Sequence, residues 1–286
     1  MNMVKKKFIR LIAAVMAFAM AAVLAGCGKE PVKETEPTAA PDTSYLVTVA
    51  NKAGTPIVRC SVEIYADTTK SNQIYKGITN GEGQVQFTAP ASDAYVAVVS
   101  KLPTGYAPVE NYPLTGESTA IVVTPGVMTD GDLDTVRYGV GDAMMDFSVT
   151  LADGETVALS EILQGKKAVV LNFWFLGCNP CKMEFPYIQE GYEQLSDDIA
   201  VLAMNPMDGT DEEITQFQSG NGYSFMMAKC DKRWEKVMDI QAYPTTVVID
   251  RYGNIALIHS SMLTSTQDFL DLVEDFIRDD YVQKFD

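Results

Sequence analysis

The stretch AVVLNFWFLGCNPC, residues 168–181, decides how this chain folds. Ala168 to Phe175 is an almost unbroken apolar run, as expected of a central strand covered on both faces. It ends at Leu176-Gly177, and a helical pattern starts at Cys178-Asn179-Pro180-Cys181. Two cysteines, three positions apart, thus stand where a strand turns into a helix. The first N–H groups of a helix have no internal partners, and together with the dipole they stabilise an anion there. The thiol of Cys178 should therefore ionise readily, and the thiolate is the nucleophile in disulfide exchange. Cys181 lies one turn along on the same face and can attack a mixed disulfide formed at Cys178. Pro180 has no N–H to lose and is tolerated in a first helical turn. Half of a zinc site would need further ligands. Only Cys60, Cys230 and His259 remain in the folded part, and none has knuckle spacing. A purely structural bridge between Cys178 and Cys181 would close too short a loop to be a good crosslink.

Outward from this stretch the pattern stays α/β. Phe147–Leu151 and Thr156–Leu159 suit a hairpin around Asp153-Gly154, and Ile199–Met204 suits a second buried strand. Asp211–Gly220 reads as a helix, while Thr245–Asp250 and Ile255–His259 read as a strand pair. Phe269, Leu272, Val273, Phe276 and Ile277 recur at helical spacing in a last amphipathic helix.

With those residues in view, "VGDAMMDFSVTLADGETVALSEILQGKKAVVLNFWFLGCNPCKMEFP", followed by "AYPTTVVIDRYGNI", resembles the membrane-tethered TlpA/ResA-type thiol–disulfide oxidoreductases of the thioredoxin superfamily. The resemblance covers about residues 140–286. It implies a central mixed sheet flanked by helices, an AhpC/TSA-redoxin-like domain, Cys178 as attacking thiol and Cys181 as resolving thiol. It also implies that Pro244 is a cis proline packed against the disulfide, with the backbone of Tyr243 open to strand-like pairing with a substrate peptide. Glu184 matches the acidic residue that such proteins place just after the active-site pair. A buried carboxylate there could relay protons to Cys181, although a first-turn glutamate favoured by the helix dipole reads equally well. Pro186 should kink the helix. Trp174 is retained and is assigned with Tyr243 to the substrate face. Many relatives carry Trp immediately before the first cysteine, where this chain has Gly177.

Toward the N-terminus the pattern changes to alternation. Leu46, Thr48 and Ala50 oppose Val47 and Val49, and Val58, Cys60, Val62 and Ile64 share one face. Further strands are expected at Tyr75–Ile78, Gln84–Thr88, Tyr95–Ser100 and Ile121–Thr124, separated by Gly/Pro/Asn turns. Short strands at this spacing suggest a β-sandwich over residues 45–124. The run "NKAGTPIVRCSVEIY…GITNGEGQVQFTAP…YVAVVSKLPTGY" resembles prealbumin-like modules of the carboxypeptidase-regulatory-like or Cna B type. The resemblance implies a spacer or docking module, and Thr48 stands near where some relatives carry a crosslinking lysine. Residues 125–140, rich in Gly and Asp, read as a linker to a domain spanning 141–286. Cys60 and Cys230 read as buried thiols, with a bond between them as the alternative.

Lys5-Lys6-Lys7 through Arg10 and the apolar Leu11–Leu24 form a secretory signal, too short to span a bilayer. Leu24-Ala25-Gly26-Cys27 resembles the bacterial lipobox, which implies removal of residues 1–26 and acylation of Cys27. Residues 27–44 then form a flexible tether. The formal charge is −16, and the four basic residues of the signal are the densest cationic cluster, which disfavours nucleic-acid binding. The single histidine, His259, sits in an apolar strand pattern, which excludes most histidine-based catalysis.

The resulting expectation is a lipid-anchored monomer on the outer face of a bacterial membrane. It would work as a disulfide reductase, needing no cofactor beyond its own Cys178–Cys181 disulfide. The resemblance implies a membrane thiol transporter of the CcdA/DsbD type as electron donor and an oxidised extracytoplasmic protein as acceptor. The competing readings are an oxidant or isomerase, a peroxiredoxin, and a surface lipoprotein whose β-domain binds a partner. The peroxiredoxin reading lacks that family's Thr-x-x-Cys context around Cys178.

Overall fold

The computed structural model describes residues 41–281, so the signal, Cys27 and most of the expected tether lie outside the described residues. Seven strands open the described chain: β1 (Asp42–Ala50), β2 (Ser61–Tyr65), β3 (Gln73–Ile78), β4 (Gln84–Pro90), β5 (Val96–Ser100), β6 (Val109–Pro113) and β7 (Ser118–Val122). They form a three-stranded sheet in the order β4-β1-β7 and a four-stranded sheet in the order β3-β2-β5-β6. Alternation places Tyr45, Val47 and Val49 of β1 and Val85, Phe87 and Ala89 of β4 on one side of their sheet. These side chains share a core with Val62, Ile64, Ala97 and Val99 of the other sheet. Phe87 stacks between Tyr45 and Tyr75, with ring centroids 5.0 and 5.2 Å away.

The strands of the β-region depart from the sequence reading at both β1 and β6. The first strand begins at Asp42, inside the stretch expected to be tether, because β4 extends to pair with it through Asp42↔Pro90. The unforeseen β6 is an edge strand without a buried residue, so it carries no apolar alternation to reveal it.

Cys60 is fully buried in this core, where its thiol donates to the Ile57 carbonyl at 3.7 Å and lies 3.4 Å from the Thr79 hydroxyl. Cys230 packs against a different core and is likewise a free thiol, so the alternative Cys60–Cys230 bond is not made.

The expected linker is instead part of the folded body. Residues 127 and 146 form a parallel bridge, and Met128 N donates to Asp146 O at 2.7 Å. A helical turn, α1 (Asp132–Thr135), follows. Met128, Leu133, Val136 and the buried Tyr138 pack onto the second domain's core. Their irregular spacing carries no period, which is why the sequence pattern reads as loop.

The second domain holds the hairpin β8 (Ser148–Thr150) and β9 (Thr156–Ala158), then α2 (Leu159–Ile162), β10 (Ala168–Phe173), α3 (Asn179–Leu195), β11 (Ile199–Asn205) and α4 (Asp211–Asn221). It continues with β12 (Met226–Lys229), α5 (Trp234–Val237), β13 (Thr245–Asp250), β14 (Ile255–His259) and α6 (Thr266–Ile277). Five of these strands form one sheet in the order β12-β11-β10-β13-β14. β12, β11 and β10 run parallel, while β13 is antiparallel to both β10 and β14. Val170, Val201 and Val248 pack with Phe185 and Ile188 of α3 and Phe269 and Val273 of α6. Leu171, Leu202 and Val247 pack on the other face with Trp234, Phe147 and Leu159. Every residue of β10 is buried, as its apolar run requires. This is a thioredoxin-like α/β domain.

The pairing of β10 with β13 fixes which end of the sheet is which. Phe173 faces Thr245 at the end leading to the cysteines, and Ala168 faces Asp250 at the other. The β-region is held at the Asp250 end. Tyr106 donates to Asn254 Oδ1 at 2.9 Å and accepts from Asn51 Nδ2 at 3.2 Å, and Ala143 N reaches Thr104 O at 3.3 Å. Gly105 makes this approach feasible: its φ is +88°, and a Cβ there would lie 1.5 Å from the Ala143 carbonyl oxygen. Gly105→Ala should therefore destabilise the chain by about 2–5 kcal/mol through backbone strain and overpacking. Urea denaturation of the oxidised protein measures this, and a change within 0.5 kcal/mol, roughly the scatter of surface substitutions, would refute the contact.

Candidate active site

β10 delivers the chain through Trp174-Phe175-Leu176-Gly177 to Cys178, which is the N-cap of α3. The Cys178 backbone is extended (φ −80°, ψ 100°), and its N–H closes a turn onto Phe175 O at 2.9 Å. Its sulfur accepts from Cys181 N at 3.2 Å, so the cap is made by the nucleophile itself. Cys178 and Cys181 form a disulfide with their Cα atoms 5.4 Å apart. Cys178 is 4% exposed and Cys181 0%, so of the two residues Cys178 is the one open to a partner. No acidic residue occupies the first turn of α3, so nothing there offsets the positive end of its dipole.

The turn before Cys178 is clamped by a carboxylate that the sequence did not single out. Asp208, in the loop after β11, accepts from Leu176 N at 2.7 Å and from Gly177 N at 2.9 Å. Asn205 holds that loop in turn, its Oδ1 accepting from Met207 N and Asp208 N at 3.0 and 3.2 Å. A Cβ on Gly177 would sit 3.2 Å from Asp208 Oδ2 and 3.1 Å from the Phe175 ring. The glycine that departs from the Trp-bearing pattern is thus fitted to the clamp.

Glu184 lies one helical turn beyond Cys181 on the buried face of α3 and is fully inaccessible. Its Oε1 accepts from Asn172 Nδ2 at 2.8 Å and its Oε2 from Leu263 N at 2.9 Å. Burial pushes this carboxyl up to about 7, against the smaller opposing effects of Leu263 N–H and the Asn172 amide. Of the two sequence readings of Glu184, the ordinary first-turn glutamate favoured by the dipole does not fit, since Glu184 lies beyond the first turn of α3 and is buried. Asn172 was legible in principle as the one polar residue in β10, and Thr246, which it also touches, was not.

The Tyr243–Pro244 peptide is cis. Tyr243 lies edge-on to Phe175 with ring centroids 5.1 Å apart, and its hydroxyl donates to Glu235 at 2.8 Å, so it borders the loop that presents Cys178. Trp174 does not lie on the substrate face expected for it. It is 0% exposed, packed between Phe217 and Phe185 at 5.0–5.1 Å, and cannot meet a substrate. Phe175 and Leu176, both half-buried, hold the surface position instead. α3 continues through Pro186, as the helix spans both sides of it. His259 is a half-buried residue of β14. Burial pushes the Cys230 thiol up, with Asp231 and Glu235 adding to the effect, so it is a poor nucleophile.

A thioredoxin-like sheet with a Cys-x-x-Cys disulfide at a helix N-terminus defines a thiol–disulfide exchange protein. Residues 140–258 match the AhpC/TSA family. The thiol-disulfide oxidoreductase ResA of Oceanobacillus iheyensis is 35% identical over 152 residues, which cover 51% of this chain and 75% of that protein. The thioredoxin-like protein YneN of Bacillus subtilis is 30% identical over 129 residues, covering 44% of this chain and 75% of the relative. ResA of Bacillus subtilis is 28% identical over 138 residues, covering 47% and 75%. The chain belongs to the ResA-like thiol–disulfide oxidoreductases of the thioredoxin superfamily, and it is an enzyme of that class.

Because burial raises the Glu184 pKa, the native state holds this proton where the unfolded chain has lost it. Its contribution to stability is complete below the ordinary carboxylate range and is lost as pH rises through about 7. Between pH 4 and pH 8.5 the wild type should lose up to about 3 kcal/mol relative to Glu184→Gln. Urea titrations of both oxidised proteins at the two pH values measure this, and a pH-independent difference would contradict it.

Proposed function

We propose that this chain is an extracytoplasmic disulfide reductase, carrying electrons from a membrane dithiol donor of the CcdA/DsbD type to an oxidised partner protein. The observation that carries this reading is Glu184. Cys181 is sealed from solvent, and as a resolving thiol it must lose a proton inside a dry site. A buried carboxylate on the same helical face, with its pKa brought near neutrality, is suited to take it.

In the forward direction the Cys178 thiolate attacks one sulfur of the partner's disulfide. A Cys178–partner bond forms, the partner's own bond breaks, and its other sulfur leaves as a thiolate. Cys181 gives its proton to Glu184 and attacks Cys178 Sγ. This forms the Cys178–Cys181 disulfide and releases the partner's second thiolate, so two electrons have moved to the partner. The partner's thiolates take up protons, one of them equivalent to the proton left on Glu184. Two electrons from the donor dithiol then restore the reduced pair. The backbone of Tyr243, ahead of Pro244, serves as the edge on which a partner peptide aligns.

Acylation of Cys27 after removal of the signal would fix this monomer to the outer face of the membrane. The β-region would act as its spacer, in the manner of the prealbumin-like modules it resembles. What supports the spacer role is that the β-region attaches at the Asp250 end of the sheet, away from the cysteines.

Cys178→Ser should abolish insulin reduction, and Cys181→Ser should accumulate a mixed disulfide with the partner, recoverable on non-reducing gels. Cys27→Ala should release the protein from the membrane fraction. A reduction potential of about −120 mV, the value of a strong oxidant, would overturn the reductase direction. Insulin reduction by Cys178→Ser at the wild-type rate would overturn the exchange mechanism itself.

A further inference from the structure

We propose that Asn172 is a positioning residue for Cys181 resolution, turning its side-chain amide over as Glu184 gains and loses its proton. This rests on reading Glu184 as the base for Cys181. Asn172 is the one polar residue of the central strand β10, which lies between β11 and β13, and is 0% exposed. Its Nδ2 donates to Glu184 Oε1 at 2.8 Å and to Thr246 Oγ1 at 3.0 Å, while its Oδ1 has no partner. Glu184 and Thr246 are also fully buried. A buried polar group left half-satisfied in a close-packed sheet calls for a reason.

The two protonation states of Glu184 supply one. When Glu184 is a carboxylate it can only accept, and the amide presents its two N–H donors, one to Oε1 and one to Thr246. When Glu184 carries a proton on Oε1, that O–H needs an acceptor, and an N–H facing it would leave two donors opposed. Half a turn about the Asn172 Cβ–Cγ bond exchanges Nδ2 for Oδ1, which are nearly equal in size and shape. Oδ1 then accepts from Glu184 Oε1–H, and also from Thr246, whose hydroxyl can donate as well as accept. Two hydrogen bonds are kept in each state, and the unpartnered atom is the half of the amide not then in use.

The surroundings of Glu184 are built from four elements. α3 carries Glu184 itself, three positions after the buried Cys181, β10 brings the Asn172 amide, and β13 brings Thr246 behind it. The segment before α6 brings Leu263 N–H, which holds Oε2 throughout. The proton therefore exchanges at Oε1, the oxygen Asn172 attends.

The test uses the reduced full-length protein and the aromatic disulfide 5,5′-dithiobis(2-nitrobenzoate). The first released thiolate reports Cys178 attack, and the second reports resolution by Cys181. In the wild type the second release should rise through an inflection near neutral pH. Asn172→Ala should move that inflection up by about one pH unit, because the carboxylate loses a charge-assisted donor whereas the acid loses a weaker neutral bond. Asn172→Asp should split it in two, as neighbouring carboxyls titrate as a coupled pair. In the unaltered ¹⁵N-labelled protein, the Asn172 side-chain amide resonances should titrate with the same midpoint. That measurement stands even where a variant fails to fold.

A merely structural Asn172 would lower the Tm of Asn172→Ala and leave the inflection in place. That result, or amide resonances unchanged between pH 5 and pH 9, would overturn the proposal while leaving Glu184 as the base, provided Glu184→Gln removes the inflection. An inflection that survives in Glu184→Gln would overturn both.

Discussion

The chemistry of this chain depends on one geometric constraint: a fully buried strand must end, turn, and begin a helix within five residues, Trp174 to Cys178. The turn cannot wander, because β10 is pinned on both sides by β11 and β13 and α3 is pinned by α6. What remains free is the backbone between Trp174 and Cys178. Asp208 removes that freedom by binding two successive N–H groups with the two oxygens of one carboxylate. Cys178 is then presented at the positive end of a 17-residue helix, its sulfur capped by the N–H of its own partner cysteine. A charge-assisted pair of bonds in a half-buried site of this kind contributes on the order of a few kcal/mol, enough to hold a short loop against its conformational entropy.

How much of this could be read from the residues differs from one feature to the next. The strand pair Thr245–Asp250 and Ile255–His259 follows the sequence pattern to the residue, because its apolar runs are bounded by turn residues on both sides. The Cys-x-x-Cys junction is equally legible, since period and residue type change at the same place. Trp174 shows the limit of reasoning by neighbourhood. A tryptophan four residues before a nucleophile looks like a substrate contact, yet it belongs to the apolar run and follows that run into the core. Asp208 had no local signal at all, because its role comes from a loop that only tertiary folding brings beside Gly177. The segment 125–140 misled in the opposite sense. Its apolar residues have no period, and they dock one by one onto a surface already formed by other elements.

The β-region and the redox domain meet through few groups, but those groups are specific. Tyr106 spans the junction with hydrogen bonds to a residue on either side, Asn51 and Asn254, and Gly105 lets two backbones approach where any other residue would collide. β1 approaches this junction from Asp42, a distance of about 26 Å at the usual rise per residue. The sheet then carries the direction onward from Asp250 to Thr245 and so to the cysteines.

The complete burial of Cys181 has a consequence for traffic. Of the bonded pair only Cys178 keeps any exposure, so in the exchange proposed above whatever reduces the pair and whatever the pair reduces must call at the same residue. Donor and acceptor then cannot be seated on Cys178 together. On the proposed function, turnover would be a double displacement, in which each visitor departs before the next arrives. An abundance of either one, in its unreactive redox form, competes with the other for the single berth.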